Sequence, residues 1–264
     1  MAQLTNGLPN THITLERQFE SLIRGKSVAI LGRGPSLAEC DADTVESYDT
    51  VVRVHRPAPI DLWWPPPLVQ EEWQAKVGKR TDVLYTSFGF ASSPPTEVEE
   101  DFITRVVSAF FDEGGAMLCR PEPVYALNPE VRPASRFIER MTPLRYVNLS
   151  LYDYLRVSLN AVPYPGTCVV ADVLAYRPVK IFLGGMTCYL DASPVGIIEQ
   201  GHKSKADFNF VRKLWRTHPI SIKIDPVMEH LFETTDESVP TRAPTAADIY
   251  ETSADGSVNT YKPK

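Results

Sequence analysis

Four apolar residues, Val28 to Leu31, run directly into Gly32-Arg33-Gly34-Pro35-Ser36. A short continuous apolar run marks a strand buried on both faces, and such strands belong to parallel sheets covered by helices. The pattern predicts a strand, a tight glycine loop, then a helix with Ser36 placed as its N-cap. Glycine carries no Cβ, so backbone N–H groups in such a loop can approach an anion, and the helix N-terminus adds its positive dipole end. The expectation is a nucleotide or phosphate site at the carboxyl end of this strand, with an ordinary βα turn as the competing reading. Leu37 rules out the six-residue dinucleotide fingerprint, and no Gly-Lys-Ser/Thr follows to make a Walker loop.

The same order recurs between Pro163 and Tyr189. A Pro-Gly turn at 165–166 is expected to start a helix from Thr167 to Tyr176. Pro178 ends it, and Val179 to Leu183 reads as a second buried strand running into Gly184-Gly185. Two units of this kind place a nucleotide where a parallel sheet changes strand order.

Around these blocks, residues 14–24 set Leu15, Phe19, Leu22 and Ile23 on one helical face, with Thr14 as cap and Gly25 as terminator. Residues 37–48 read as a short helix or turns, 49–54 and 82–87 as strands, 97–111 as a helix and 116–120 as a strand. Helices are expected over 132–140, 150–158 and 206–215, and a last strand over 220–224. Asp41-Ala42-Asp43 has the DxD form that many glycosyltransferases use for a divalent metal, but Asp is also favoured at helix starts, and the cap is the reading adopted. Residues 57–73 hold five prolines and three tryptophans. Such a segment cannot be a central strand or a helix interior. It reads as a surface insertion (57–76) whose Trp63, Trp64 and Trp73 suit either burial or stacking on an acceptor. From Glu233 the hydrophobic residues thin out, so the chain divides into a domain over 1–232 and a polar tail over 233–264.

At 264 residues and 43% hydrophobic composition the chain can bury a sizeable core. A net charge of −6 argues against a general nucleic-acid or anionic-membrane binder. The four cysteines, Cys40, Cys119, Cys168 and Cys188, show no metal or disulfide spacing and read as free thiols. No leader pattern and no apolar run of about 18 residues is visible, so the expectation is a cytoplasmic protein without a membrane span.

Taken together, these blocks resemble the sialyltransferase superfamily: bacterial enzymes of glycosyltransferase family 42 and, more loosely, animal enzymes of family 29. The bacterial loop Gly-Asn-Gly-Pro-Ser-Leu is similar to Gly32-Arg33-Gly34-Pro35-Ser36-Leu37, and the strand Asp-x-Val-x-Arg-x-Asn to Asp49 through His55. The animal Ala-Pro and Val-Gly-x-Arg-Thr blocks resemble Ala58-Pro59 and Val77 to Thr81. A Gly-led helix, strand and Gly-x-x-x-Tyr ending matches Gly166 to Tyr189, and Gly-His-Ser-Lys-x-x-Asp resembles Gly201 to Asp207.

The resemblance implies a single Rossmann-like α/β domain with a mostly parallel twisted sheet flanked by helices, a GT-A-like variant. It implies a metal-independent glycosyltransferase that takes a CMP-sugar as co-substrate, needs no cofactor, and acts on a glycan or other hydroxyl-bearing acceptor; a homo-oligomer is compatible with it. The general base falls on His202 and the donor to the leaving phosphate on Tyr189. Nucleotide contacts fall on Gly32, Arg33, Gly34, Ser36, His55, Pro165, Gly166, Thr167 and Gly185. The residue types suit the chemistry: a histidine near neutral pKa can deprotonate a hydroxyl, and a phenol can stabilise developing phosphate charge. Arg33 and His55 stand where the family has asparagines, and Pro165 where it has serine. Position 195–196 lacks the bacterial group's second tyrosine. These departures leave open another nucleotide-sugar donor, an acceptor such as a modified DNA base, or a nucleotide-binding module without catalysis.

Overall fold

The structure, a computed structural model, describes residues 10–32, 34–54, 77–86, 96–123, 132–188, 204–234, 251–252 and 258–259. Helix α1 (Asn10–Ile23) leads into β1 (Ser27–Leu31), a 3₁₀ turn (Pro35–Glu39), α2 (Ala42–Glu46) and β2 (Thr50–Val54). Then come β3 (Val83–Tyr85), α3 (Glu97–Asp112), β4 (Met117–Arg120), α4 (Arg132–Met141) and β5 (Leu144–Tyr146). The chain continues through α5 (Leu149–Leu159), α6 (Pro165–Ala175), β6 (Lys180–Gly184), α7 (Ser204–Thr217), β7 (Ser221–Ile224) and α8 (Pro226–Thr234). A two-residue antiparallel pair, β8 (Glu251–Thr252) and β9 (Val258–Asn259), stands apart from the main sheet.

The main sheet has seven strands in the order β5-β4-β3-β2-β1-β6-β7, and every pairing is parallel. The chain winds outward from β1 to β5, then returns to lay β6 on the other side of β1. The strand order therefore reverses between β1 and β6, as the two glycine blocks led one to expect. The pleat sends Val28 and Ile30 into a core with α1, α5, α6, α7 and α8, while Ala29 and Leu31 enter a second with Leu37, Val45 and Tyr48. A third, under α3 and α4, gathers Leu84, Ile103, Phe110, Leu118 and Ile138. Helices on both faces explain why β1, β2 and β3 are buried along their whole length.

Local departures from expectation have simple causes. Helix α1 begins four residues before Thr14, which therefore sits inside it rather than capping it, while Leu15, Phe19 and Ile23 are buried as the periodicity required. Gly25 ends it at φ +68°, the left-handed conformation that favours glycine. Asp41 is the N-cap of α2, accepting from the Thr44 N–H at 2.8 Å and its hydroxyl at 2.7 Å, so the DxD sequence is a helix start. Pro165 and Gly166 form the first turn of α6 rather than a turn ahead of it, with proline at a position whose N–H has no intrahelical partner.

Strand β5 is not legible as a strand: it is three residues long and has Arg145 at its centre. Arg145 is 1% exposed and pairs bidentately with buried Asp172 of α6, at 2.6 and 3.1 Å. It also reaches Glu16 of α1 at 3.0 Å and lies 3.8 Å over the Phe19 ring. Tyr85 donates to Asp172, and Tyr176 donates to Glu16. This network ties β3, β5, α1 and α6 together under the sheet.

Removing one member of such a pair strands the other charge in a dry interior, at about 3–5 kcal/mol. Asp172→Leu should therefore lower Tm by on the order of 10 °C. The joint Arg145→Met, Asp172→Leu variant leaves neither charge of this pair unpaired and should recover roughly half of the loss in a calorimetric scan. A joint variant as unstable as the single one would contradict this.

Candidate active site

In an open α/β sheet, ligands bind outside the carboxyl ends of the strands, at the point where strand order reverses. Here that point lies between Gly32, which follows β1, and Gly184-Gly185, which end β6. The two segments continue the ladder: the Gly32 N–H donates to the Gly184 carbonyl and the Gly34 N–H to the Gly185 carbonyl, each at 2.8 Å. Those two amides are thus occupied, which corrects the expectation that they face an anion. The glycines serve close approach. A Cβ on Gly32 would stand 2.2 Å from the Gly185 carbonyl oxygen, a backbone atom, and one on Gly34 would stand 2.9 Å from it.

Ser36 is likewise not a helix cap. The 3₁₀ turn is preceded by Gly34 with no side-chain cap, and the buried Ser36 hydroxyl donates to Asp225 at 3.0 Å. Asp225 follows β7 and leads α8, and its side chain is fully buried. It also accepts from the Gly185 N–H at 2.9 Å and, through its other oxygen, from the Met228 N–H at 2.9 Å. One carboxylate therefore joins the β1 loop, the β6 loop and the start of α8. Burial raises its pKa, against these hydrogen bonds, which lower it. Burial, and then Asp225 itself, push the neighbouring Cys40 thiol up to about 12.

The third wall is the start of α6. Met186 bridges it to the β1 loop, since a Cβ on either Gly32 or Gly166 would stand 2.9 Å from the Met186 sulfur. Pro165 and Gly166 are half-buried, and no side chain caps the helix. First-turn N–H groups have no partner within their own helix, so among the described residues the start of this 11-residue helix is able to meet an anion. Thr167 is buried, and its hydroxyl faces Asp207 of α7 rather than the cleft. Cys188 is half-buried against the main core with φ +51°, left-handed for a non-glycine residue, next to Tyr189 in sequence.

The structure brings together Gly32, Gly34, Ser36, Pro165, Gly166, Thr167 and Gly185 of the expected set. Arg33, His55, Tyr189 and His202 lie outside the described residues, as do Trp63, Trp64 and Trp73. Among the described residues no cluster of three or more His, Cys, Asp or Glu side chains could hold a metal ion, and no helix is long and apolar enough to cross a membrane. Asp225, Asp207 and Met186 were missed as site residues. The Asp-Pro at 225–226 is itself a helix-start signal that could have found the first.

The Val77–Thr81 block is held from the neighbouring strand, where Arg53 pairs with Leu31 of β1. Buried Arg53 of β2 donates to the Val77 and Gly78 carbonyls at 2.8 and 3.0 Å and to the Thr81 hydroxyl at 2.9 Å. Glu46 accepts from the Lys79 and Arg80 N–H groups at 2.7 and 2.9 Å. These contacts fix the approach to β3.

Two measurements check this geometry. Gly32→Ala should cost about 3 kcal/mol, the upper range for overpacking, because a backbone atom blocks the new methyl. Gly25→Ala, left-handed but with open space around it, should cost about 1–2 kcal/mol by urea unfolding. Equal losses would refute the close approach. Asp207 gives a pH test, since burial pushes its carboxyl up to about 6 from 3.8. The folded protein then binds that proton more tightly than the unfolded chain, so stability falls as pH rises from 4 to 7, by roughly 3 kcal/mol. Asp207→Asn should lack this decline, and parallel stability curves for the two proteins would refute it.

No protein-family model and no curated protein matches the sequence. Solved structures do match. The monofunctional α-2,3-sialyltransferase Cst-I of Campylobacter jejuni aligns over 75% of this chain and 75% of its own, at 13% identity and a TM-score of 0.50. A variant of the sialyltransferase CST-II in complex with CMP aligns over 76% of this chain and 81% of its own, at 16% identity and a TM-score of 0.50. The chain thus shares the α/β fold of these two sialyltransferase structures.

Proposed function

We propose that this protein is a glycosyltransferase of the sialyltransferase kind, transferring a sugar from a CMP-sugar to an acceptor hydroxyl. The observation that carries the reading is the reversal of strand order between β1 and β6, where the uncapped N-terminus of α6 is joined to the glycine loop through Met186. The CST-II variant with the same fold was solved with CMP. In the proposed reaction the bond between the anomeric carbon and the phosphate oxygen breaks, and CMP leaves with the electron pair. The acceptor oxygen bonds to that carbon, and its proton passes to His202. Tyr189 donates a hydrogen bond to the phosphate as its charge grows. The chemistry so written uses no metal ion.

The test is turnover of a CMP-linked sugar by the purified protein, with UDP- and GDP-sugars and EDTA as controls. CMP-sugar turnover insensitive to EDTA is expected. His202→Ala should lower kcat by roughly 10²–10⁴-fold, with CMP affinity unchanged and the acidic limb of the pH profile gone. Tyr189→Phe should lower kcat and keep that limb. An intact limb in His202→Ala places the base elsewhere, and exclusive use of UDP- or GDP-sugars overturns the donor. The departures at Arg33 and His55 favour one second reading, a donor other than a CMP-sugar. If that holds, Arg33→Asn with His55→Asn should shift preference toward CMP-sugars.

A further inference from the structure

Two tethers join the starts of α6 and α7. The backbone N–H of Tyr164, the residue immediately before α6, donates to Asp207 Oδ1 at 2.8 Å. The Tyr164 hydroxyl lies 2.9 Å from the hydroxyl of Ser204, the first residue of α7. Asp207 is fully buried in the first turn of α7, a position an aspartate could equally occupy as an ordinary exposed first-turn acid. Instead it is taken out of water, at a cost, to accept from another helix's entry residue. Its second oxygen and the Thr167 hydroxyl face one another without completing a well-formed hydrogen bond, and neither has another partner among the described residues. A buried carboxylate satisfied on one oxygen only is an unfavourable choice for stability alone, since an apolar residue could fill the same turn.

Chain connectivity says what this latch controls. Helix α7 starts two residues after His202, and two residues span at most about 7 Å. Fixing Ser204 and Asp207 against Tyr164 therefore fixes, relative to the Pro165–Thr167 turn, the helix start to which His202 is joined by two residues.

We infer that Asp207, with Tyr164 and Ser204, is a positioning residue: it sets the distance between the turn proposed to bind the donor and the histidine proposed as base. This rests on the proposed function for the roles of those two segments, whereas the latch itself is independent of them. A misplacement of about 1 Å in a reacting group can cost 10²-fold in rate while leaving ligand affinity nearly untouched. The latch should therefore show itself in kcat and not in donor binding.

The experiment pairs hydrogen exchange with kinetics on the full chain. In Asp207→Ala, the Tyr164 amide should exchange at least about tenfold faster while the β1 amides keep their protection, because only the local acceptor is lost. In the same variant kcat for CMP-sugar transfer should fall by roughly 10–100-fold, with CMP affinity unchanged. Asp207→Asn, which keeps an acceptor for the Tyr164 N–H, should recover most of both. Should Asp207→Ala not fold, Ser204→Ala removes only the hydroxyl tether and should show the same split in smaller degree. Loss of CMP affinity in step with kcat overturns the inference, as does unchanged kcat alongside a loosened Tyr164 amide. A wild-type protein that turns over no CMP-sugar contradicts the proposed function instead, and the latch is then decided by the exchange measurement, where an unaltered Tyr164 amide overturns it.

Discussion

The cleft depends on one buried carboxylate. Asp225 receives hydrogen bonds from Ser36, Gly185 and Met228, and so draws the loops after β1 and β6 and the start of α8 onto a single point. Each contact is modest by itself. Their sum is large because a donor left unpaired in a dry interior costs about 1–3 kcal/mol, and three donors depend on this one side chain. With it in place the β1 and β6 backbones can run on together past Leu31, which requires that Gly32 and Gly34 carry no side chain. The glycine loop is thus shaped first by its neighbour and only then by any ligand.

That order of causes separates what the sequence makes legible from what it does not. The strands β1, β2 and β6 are readable because a helix-covered parallel strand needs an apolar run and little else. The reversal of strand order is readable from two strand-glycine units because right-handed crossovers leave few ways to arrange them. Strand β5 escapes because its central residue is an arginine, and partners distant in sequence, Asp172 and Glu16, make a buried arginine tolerable. The tethers that Asp225 and Asp207 make to other elements escape for the same reason: Ser36 and Tyr164 lie 189 and 43 residues away in the chain. Periodicity sees neighbours in sequence; it cannot see a hydrogen bond between elements.

The motif blocks divide in a similar way. Val77 to Thr81 and Arg53 lie in one structural clamp, with Arg53 gripping carbonyls and Glu46 the amides. Ser36 belongs to the frame through Asp225, and Thr167 is turned toward Asp207. Residues that resemble a family's site therefore include several whose visible work is to build the cleft. The half-buried Gly34, Pro165 and Gly166 remain as surface on which a ligand can rest.

The most direct test of this account is to map where nucleotide binds, by following backbone amide resonances during a titration with CMP. The account predicts saturable shifts concentrated at Gly34, Gly166, Thr167 and Cys188, at the carboxyl ends of β1 and β6, with β4 and β5 unmoved. Shifts gathered instead at the β4–β5 edge, or none at millimolar CMP, would contradict it.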